Sequence, residues 1–262
     1  MMCVKFSHIC AWYTTNLDGH TISAGAPAER DNGNMKPLIR LEDVQKTYQS
    51  SAGTVYALRC ITLTVGKGEF LAVVGQSGSG KSTLMNILGC LDTPTSGRYW
   101  LEDREVSRLS DDEQSSIRGR TIGFVFQGFH LIPSLDALEN VELPLLYRGM
   151  GREERRRLAR ESLEQVGLGR RLHHRPGEMS GGQQQRVAIA RAIAAKPPVI
   201  LADEPTGNLD SRSGHEVMDL LHALHRNGHT VVLITHDAAI ASEADRRICI
   251  HDGEIVKNLA TL

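Results

Sequence analysis

The sequence predicts an α/β protein with a mainly parallel sheet, and two patterns support this fold class. Short apolar runs at residues 70–74, 199–202 and 231–234 have the length of buried strands. Between the last two runs, apolar residues recur at helical spacing, so strand, helix and strand follow one another. This order is typical of parallel strands that are joined by helical crossovers.

Residues 1–34 differ from the rest of the chain because they show no apolar periodicity and end in a polar stretch rich in Gly, Asn and Pro. They predict a flexible N-terminal extension ahead of a folded domain at residues 35–262. A start of translation at Met35 is an alternative, since a strand-like pattern begins at Leu38. A membrane-touching arm around Trp12 is another alternative, although no basic face accompanies it.

The elements after the extension follow from periodicity. Residues 61–65 alternate apolar and polar side chains, as in a half-buried strand, and residues 81–88 have a helical composition. A further helix is predicted to end near Gly228, where glycine favours a helix stop. Its apolar stripe is formed by Val217, Leu220, Leu221 and Leu224.

The middle of the chain, at about residues 128–180, is polar and helical and predicts a smaller helical subdomain. Residues 152–166 contain many helix formers and an apolar stripe at Leu158, Leu163 and Val166. The arginines at 155–157 are interpreted as a solvated helix face.

Composition excludes several classes of protein. The chain has 262 residues, of which 30 are basic and 31 acidic, so a general nucleic-acid binder with a basic excess is not expected. Its 5 cysteines are scattered and odd in number, which argues against a disulfide framework. The sequence lacks an apolar run of the roughly 18–20 residues that a transmembrane helix requires.

A glycine-rich motif follows the predicted strand at 70–74 and opens the predicted helix at 81–88. It matches GxxxxGK[ST] in the strand–loop–helix context of a phosphate-binding loop. Glycines let backbone N–H groups approach a phosphate, Lys81 adds a positive charge, and the Ser82 hydroxyl can bind Mg²⁺. The predicted nucleotide-binding residues are Gly75, Gln76, Ser77, Gly78, Ser79, Gly80, Lys81, Ser82 and Thr83.

Two adjacent carboxylates follow a second buried strand. The apolar run at 199–202 places Asp203 at the strand end and Glu204 directly after it. We assign Asp203 to Mg²⁺ and Glu204 as the general base for an attacking water. With the phosphate loop, this pair predicts nucleotide hydrolysis or phosphoryl transfer and leaves kinase, GTPase, helicase and transport ATPase open.

A second candidate anion site lies at residues 179–183, where Ser180 precedes two glycines at the start of a predicted helix. A serine hydroxyl and free N–H groups at a helix start suit a phosphate. Because the nucleotide already has its phosphate loop, we interpret this motif as binding the γ-phosphate of a nucleotide held by a second subunit. The predicted contacts are Ser180, Gly181, Gly182 and Gln183.

In these motifs and their order, the chain resembles the ATP-binding-cassette (ABC) ATPases over about residues 37–257. The motif at 179–183 is similar to the family's LSGGQ signature, with Met179 in place of leucine. The resemblance implies a RecA-like P-loop NTPase core with a mainly parallel sheet, an N-terminal antiparallel β subdomain and a helical subdomain. It implies ATP and Mg²⁺ as cofactors.

The resemblance also implies roles for further residues. Tyr48 matches the aromatic that stacks on adenine, and Gln127 the glutamine that senses Mg²⁺ and the attacking water. Asp210 lies in the loop that contacts the opposing protomer, and His236 matches the histidine that holds the γ-phosphate. Taken alone, Tyr48 also fits an edge-strand aromatic, Gln127 a surface amide and His236 a histidine at a strand end. The implied catalytic residues are Lys81, Gln127, Glu204 and His236, and the implied Mg²⁺ ligands are Ser82, Gln127 and Asp203.

The resemblance implies two partners. Two copies would pack head to tail with ATP between Lys81 of one and Ser180 of the other, and a separate integral membrane permease would dock on the helical subdomain. The ATPase would then lie at the cytoplasmic face of the inner (plasma) membrane. Phe129, Leu131, Ile132 and Leu135 fit either the permease contact or the core of the subdomain.

Within the family, the sequences around Ser180, Glu204 and His236 are similar to the macrolide-export and lipoprotein-release branch. A rival is an ABC ATPase that transmits force through a permease-like partner to cell-wall enzymes without transport. A soluble ABC protein of DNA repair or translation, a small-molecule P-loop kinase and a non-hydrolysing regulatory module are further alternatives.

Overall fold

The computed structural model describes residues 37–51 and 53–256. The predicted extension at 1–34 and the alternative start at Met35 lie outside these residues. The strands are β1 (Ile39–Ser50), β2 (Gly53–Val65), β3 (Phe70–Val74), β4 (Ser96–Leu101), β5 (Arg104–Glu105), β6 (Ile122–Phe126), β7 (Val199–Asp203), β8 (Thr230–Ile234), β9 (Arg246–His251) and β10 (Glu254–Val256). The α-helices are α1 (Lys81–Leu88), α2 (Asp111–Thr121), α3 (Ala137–Tyr147), α4 (Arg152–Gln165), α5 (Gly181–Ile193), α6 (Ser211–Arg226) and α7 (Ala238–Ala241).

The larger sheet has six strands in the order β10-β9-β3-β8-β7-β6. All neighbouring pairs are parallel except β10, which runs antiparallel to β9. This arrangement confirms the predicted mainly parallel sheet. A smaller antiparallel sheet has the order β2-β1-β4-β5, in which Ile39 pairs with Val65 on one side and Leu101 on the other.

The four neighbouring strands β3, β8, β7 and β6 each contribute side chains to two separate cores, because successive residues of a strand point to opposite faces. In β7, Ile200 belongs to a core shared with the long helices, and Leu201 to a core shared with the antiparallel sheet and α1. In β8, Val231 belongs to the first of these cores and Val232 to the second. The fully apolar strands that the sequence shows are therefore the consequence of burial on both faces.

Several helices begin where the local sequence offers a side-chain cap. Asp136 accepts a hydrogen bond from the Glu139 N–H at the start of α3, and Ser180 and Asp210 cap α5 and α6 in the same way. The helix predicted to end near Gly228 is α6, whose last residue is Arg226 and whose following Gly228 has φ +90°. Within the described part of the chain, none of the helices combines the length and apolar content needed to cross a bilayer.

Candidate nucleotide-binding site

The candidate site lies at one edge of the parallel sheet, where four neighbouring strands end. Strands β3, β8, β7 and β6 are adjacent and parallel, so the loops that follow their carboxyl ends meet at this edge. The phosphate loop follows β3, His236 follows β8, Glu204 follows β7 and Gln127 follows β6. The topology therefore brings together groups that lie far apart in the sequence.

The phosphate loop has a backbone that requires glycine at particular positions. Gly78 has φ +78°, which L side chains rarely adopt, although space around it is open. Gly80 has φ +108°, and a Cβ there would stand 2.5 Å from the Ala57 carbonyl oxygen of β2. The phosphate loop therefore packs against β2 at Gly80, and any larger residue there would require the loop or β2 to move.

Lys81 extends into this loop and is buried. Its Nζ donates hydrogen bonds to the carbonyl oxygens of Gly75 at 2.8 Å and Gln76 at 2.7 Å. Burial lowers the pKa of Lys81, while the nearby carboxylates of Glu204 and Asp203 oppose that shift. The ammonium group is therefore fixed inside the loop and faces the acidic pair.

The acidic pair occupies the end of β7. Burial raises the pKa of Asp203, the charge of Glu204 raises it further, and Lys81 opposes both effects. Glu204 has φ +44°, an uncommon conformation for a residue other than glycine, and its N–H donates to the Ile234 carbonyl at 2.8 Å. This bond to β8 turns the chain sharply away from the sheet directly after Asp203.

His236 stands next to the predicted general base. Its Nδ1 lies 2.9 Å from Oε1 of Glu204, and its side chain is 68% exposed. A carboxylate only accepts hydrogen bonds, so Nδ1 carries the proton of this contact and Nε2 is left for another partner.

Gln127 is joined to the loop that follows the acidic pair. Its Nε2 donates to Oδ1 of Asn208 at 3.3 Å, and Nδ2 of Asn208 donates to the Gln127 carbonyl at 3.0 Å. A Cβ on Gly207 would stand 2.7 Å from Nε2 of Gln127, so the two loops are in close contact.

The serine–glycine motif forms a capped helix start. The Gln183 N–H donates to Oγ of Ser180 at 3.3 Å, and the Ser180 N–H donates to Oε1 of Gln183 at 3.1 Å. A Cβ on Gly182 would stand 2.7 Å from Oγ of Ser213, so α5 packs closely against α6. Asp210 caps α6 by accepting the Ser213 N–H at 3.0 Å, and this bond lowers the pKa of Asp210.

Tyr48 lies on β1 and is partly exposed. Its hydroxyl donates to Oδ2 of Asp92 at 2.8 Å, and Nζ of Lys46 lies 5.0 Å from the ring centroid. Burial raises the pKa of Tyr48, and the bond to Asp92 adds to the effect. Asp92 holds the Tyr48 hydroxyl, although its only signal in the sequence is a turn-like stretch after α1.

A cleft of about 290 Å³ opens between β2 and the phosphate loop. Lys81, Ser82 and Thr83 line one side, and Val55 and Tyr56 of β2 line the other. The place of Tyr56 in this cleft was not predicted, because nothing in the local sequence distinguishes it from other exposed aromatic residues on a strand.

The donors at this edge fit ATP and Mg²⁺. The Ser82 hydroxyl, the Asp203 carboxylate and the Gln127 amide oxygen are hard oxygen donors, which Mg²⁺ prefers. Desolvation raises the pKa of the half-buried Asp203 carboxyl, whose charged form a divalent cation would stabilise. Oγ of Ser79 is buried and finds no partner among the described residues, so a donor inside the loop is available for a phosphate oxygen.

A separate groove of about 470 Å³ lies beside the end of β6. Its lining is mainly apolar and includes Leu91, Phe124, Phe126, Leu143, Pro144 and Tyr147. The predicted contact residues do not form this groove. Leu131 instead packs against the core of the long helices, while Ile132 is exposed. The groove is formed by residues of four different elements, which local sequence patterns did not connect.

Comparison with known sequences and structures agrees with this geometry. The sequence profile of the family described as ABC transporter matches residues 58–207. A macrolide export ATP-binding/permease protein, MacB, of Brucella melitensis is 56% identical over 222 residues, which are 85% of this chain and 34% of that protein. The chain thus spans about a third of the length of this relative.

Two further similar proteins have nearly the length of the matched region. An uncharacterised ABC transporter ATP-binding protein of Thermotoga maritima is 53% identical over 84% of this chain and 94% of its own. The dimeric structure of MJ0796, a bacterial ABC transporter cassette, is 50% identical, covers 84% of this chain and 97% of its own, and has a TM-score of 0.78. A second MJ0796 structure is a post-hydrolysis state bound to ADP and Pi.

Proposed function

The chain belongs to the ABC transporter family, and from this premise we propose that it is the ATP-binding and ATP-hydrolysing subunit of an export or extracytoplasmic-release system. Residues 35–262 form its ATPase domain, with a helical subdomain at about 128–180. The chain uses Mg²⁺ and drives an integral membrane permease. A macrolide, a peptide or a lipoprotein is the proposed class of cargo.

One observation carries the enzymatic part of this proposal. Lys81 begins α1 after the loop that follows β3, while Asp203, Glu204 and His236 lie at or directly after the ends of β7 and β8. The last two are in contact at 2.9 Å. A fixed cation, a half-buried carboxylate and a carboxylate in contact with a histidine are the groups that hydrolysis of a phosphoanhydride needs.

We assign the chemistry to these residues as follows. Lys81 and the N–H groups of the phosphate loop bind the β- and γ-phosphates and stabilise their charge. Ser82, Asp203 and Gln127 would hold Mg²⁺, which when bound would supply positive charge against the phosphate oxygens. Glu204 accepts a proton from the attacking water, and His236 holds the Glu204 carboxylate in position.

A second copy completes each site in this proposal. Ser180 and the N–H groups at the start of α5 form a candidate anion-binding surface, in which the Ser180 hydroxyl and N–H bond to Gln183 of the same motif. In a head-to-tail dimer this surface binds the γ-phosphate held by Lys81 of the other copy, and Asp210 lies at the same contact. When the γ-phosphate is lost, its negative charge no longer links Lys81 of one copy to the Ser180 surface of the other, and the two copies separate.

The permease is assigned to the groove beside β6. Its apolar lining and the 88% exposure of Tyr147 suit an amphipathic helix of a partner. The ATPase would then lie at the cytoplasmic face of the inner (plasma) membrane, held there through the permease.

Phosphate release from MgATP tests the enzymatic part. The wild-type chain is expected to hydrolyse ATP, and Lys81→Ala is expected to lose most productive binding. Lys67→Ala removes an exposed lysine outside the site and serves as the control. Equal hydrolysis by the wild type and Lys81→Ala would contradict the assignment of the phosphate loop.

Co-purification from detergent-solubilised membranes tests the permease. Tagged Glu204→Gln with MgATP is expected to retain an integral membrane protein with a large extracytoplasmic region, and Tyr147→Glu on the same background is expected to release it. Cell-wall enzymes held through such a protein would favour force transmission instead. Ribosomes or DNA-repair proteins without a membrane partner would overturn the transport proposal.

A further inference from the structure

Gln185 is a fully buried polar residue in α5 that the catalytic assignments do not use. Its Nε2 donates hydrogen bonds to the Pro205 carbonyl oxygen at 2.7 Å and to the Phe126 carbonyl oxygen at 3.3 Å. Both partners are acceptors, so the orientation of the amide is fixed with its NH₂ group toward them.

The two carbonyls belong to residues beside two proposed catalytic residues. Phe126 is the last residue of β6 and immediately precedes Gln127, while Pro205 immediately follows Glu204. A single NH₂ group therefore joins the backbone of the Gln127 loop to the backbone of the Glu204 loop. Because the amide belongs to α5, it also connects both loops to the helix that begins after Ser180.

The two ends of the Gln185 amide differ, since its NH₂ group donates two hydrogen bonds and its oxygen accepts none from the described residues. Its Oε1 is buried and finds no hydrogen-bond donor among the described residues. An unpaired buried carbonyl costs free energy, but an apolar side chain at this position would in turn remove the donor to the Pro205 and Phe126 carbonyls. The structural role of Gln185 therefore lies in its NH₂ group and the two hydrogen bonds that this group donates.

A second side chain of α5 holds the same loop farther along. The guanidinium group of Arg191 donates to the carbonyl oxygens of Phe129 at 2.9 Å and of His130. Phe129 and His130 have φ +57° and +50°, so the loop adopts an uncommon backbone conformation where α5 contacts it. The loop after β6 is thus fastened to α5 on both sides of Gly128.

We propose that Gln185 is a positioning residue for ATP hydrolysis, whose NH₂ group sets the separation between Gln127 and Glu204. The proposal rests on the proposed ATPase function. A shift of about 1 Å in catalytic geometry can cost about 100-fold in rate, so the bond to Pro205 acts through the placement of Glu204. Movement of α5 at the dimer contact reaches both catalytic loops through the same amide.

Gln185→Met tests the proposal because it removes both donors and the unpaired oxygen at similar length. Its matched control is Gln114→Met, since Gln114 is also buried and its Nε2 donates to two main-chain carbonyls, those of Val106 and Leu109. We expect Gln185→Met to lower kcat by about 10- to 100-fold while KM for ATP changes by less than about 2-fold. Gln114→Met is expected to keep wild-type kcat and KM.

Gln185→Glu supplies a second readout and carries the test if the methionine variant does not fold. A protonated carboxyl can donate to one carbonyl, whereas an ionised carboxylate repels both. Its kcat should therefore fall as the pH rises through the ionisation of the new carboxyl, relative to the wild type at each pH. A purely structural role would leave this ratio unchanged while the variant stays folded.

The outcomes separate this proposal from the one on which it rests. A wild-type chain that does not hydrolyse ATP overturns the proposed function and this inference together. Hydrolysis by the wild type with equal kcat for Gln185→Met and Gln114→Met overturns the positioning role alone. A rise in KM at unchanged kcat would also overturn it, because that result assigns Gln185 to binding.

Discussion

Nδ1 of His236 lies 2.9 Å from Oε1 of Glu204, which joins the ends of the neighbouring strands β8 and β7. The contact holds a carboxylate whose backbone has the uncommon φ of +44°. It gives Glu204 one fixed orientation instead of several rotamers. In the proposed mechanism, His236 therefore contributes to catalysis by orienting the general base.

His236→Ala is expected to lower kcat for ATP hydrolysis by at least about 100-fold, since misorientation of a general base removes much of its contribution. Initial rates of phosphate release at saturating MgATP measure the effect. His173→Ala is the matched control because Nδ1 of His173 lies 2.8 Å from a carboxylate oxygen of Asp136, outside the site, and the side chain is 64% exposed. Equal loss in both variants would contradict a specific role of His236.

Asp203→Asn is expected to stabilise the protein without nucleotide and to abolish Mg²⁺-dependent hydrolysis. The pKa of Asp203 is raised in the folded chain, so the folded state binds this proton more tightly than the unfolded state. Its contribution to stability is therefore lost as the pH rises above the ordinary value of 3.8 toward the raised one. Asparagine does not ionise, so Asp203→Asn does not lose stability in this way as the pH rises.

Thermal unfolding across about pH 4 to 8 checks the prediction for Asp203. The melting temperature of Asp203→Asn should exceed that of the wild type near neutral pH, and the difference should shrink toward pH 4. Asp219→Asn removes an exposed carboxylate on α6 and should follow the wild type. A variant that is less stable than the wild type at neutral pH would refute the assignment of burial as the main cause.

Tyr48→Ala is expected to weaken ATP binding by about 5- to 160-fold, because stacking of a base on an aromatic contributes about 1–3 kcal/mol. Tyr48→Phe keeps the ring and loses only the hydrogen bond to Asp92, so it should bind nearly as the wild type does. Equilibrium binding of a fluorescent ATP analogue measures both. Tyr147→Ala removes an exposed tyrosine in the separate groove and is the control. If Tyr48→Ala binds the ATP analogue as tightly as the wild type and Tyr147→Ala do, Tyr48 does not stack on the base.

Gly182→Ala is expected to destabilise the protein by about 1–3 kcal/mol, because its Cβ would overlap Ser213 of α6. Gly181→Ala is the matched control for stability, since the nearest atom to its Cβ would be Cδ2 of Leu209 at an ordinary 3.5 Å. Urea unfolding of both variants measures the free energy. If Gly182→Ala is as stable as Gly181→Ala, the close packing of α5 on α6 does not contribute to stability.

Local motifs made the centre of the site predictable from sequence. The strand–loop–helix pattern around Lys81 and the apolar run before Asp203 fix structure within a few residues, and the structure has β3, α1 and β7 at these positions. The strand predicted at 61–65 is the end of the longer β2. Its first residues are exposed on both faces, so they lack the alternation on which the prediction depended.

Contacts between distant elements were not predictable in the same way. Three consecutive glutamines follow the serine–glycine motif, and their sequence gives no sign that only Gln185 is fully buried. Its partners lie 59 and 20 residues away and become neighbours only through the order of β6 and β7 in the sheet. The groove near Tyr147 was missed for the same reason.

Light scattering of Glu204→Gln with MgATP tests the central claim, that two copies of this chain enclose ATP. Because this variant is expected to bind ATP without hydrolysing it, we predict a mass twice the 28.8 kDa of the chain with MgATP and a single chain without nucleotide. Adding Ser180→Arg, which blocks the anion-binding surface, should restore the single chain. A single chain in the presence of bound MgATP, or a dimer that persists with Ser180→Arg, would contradict the account.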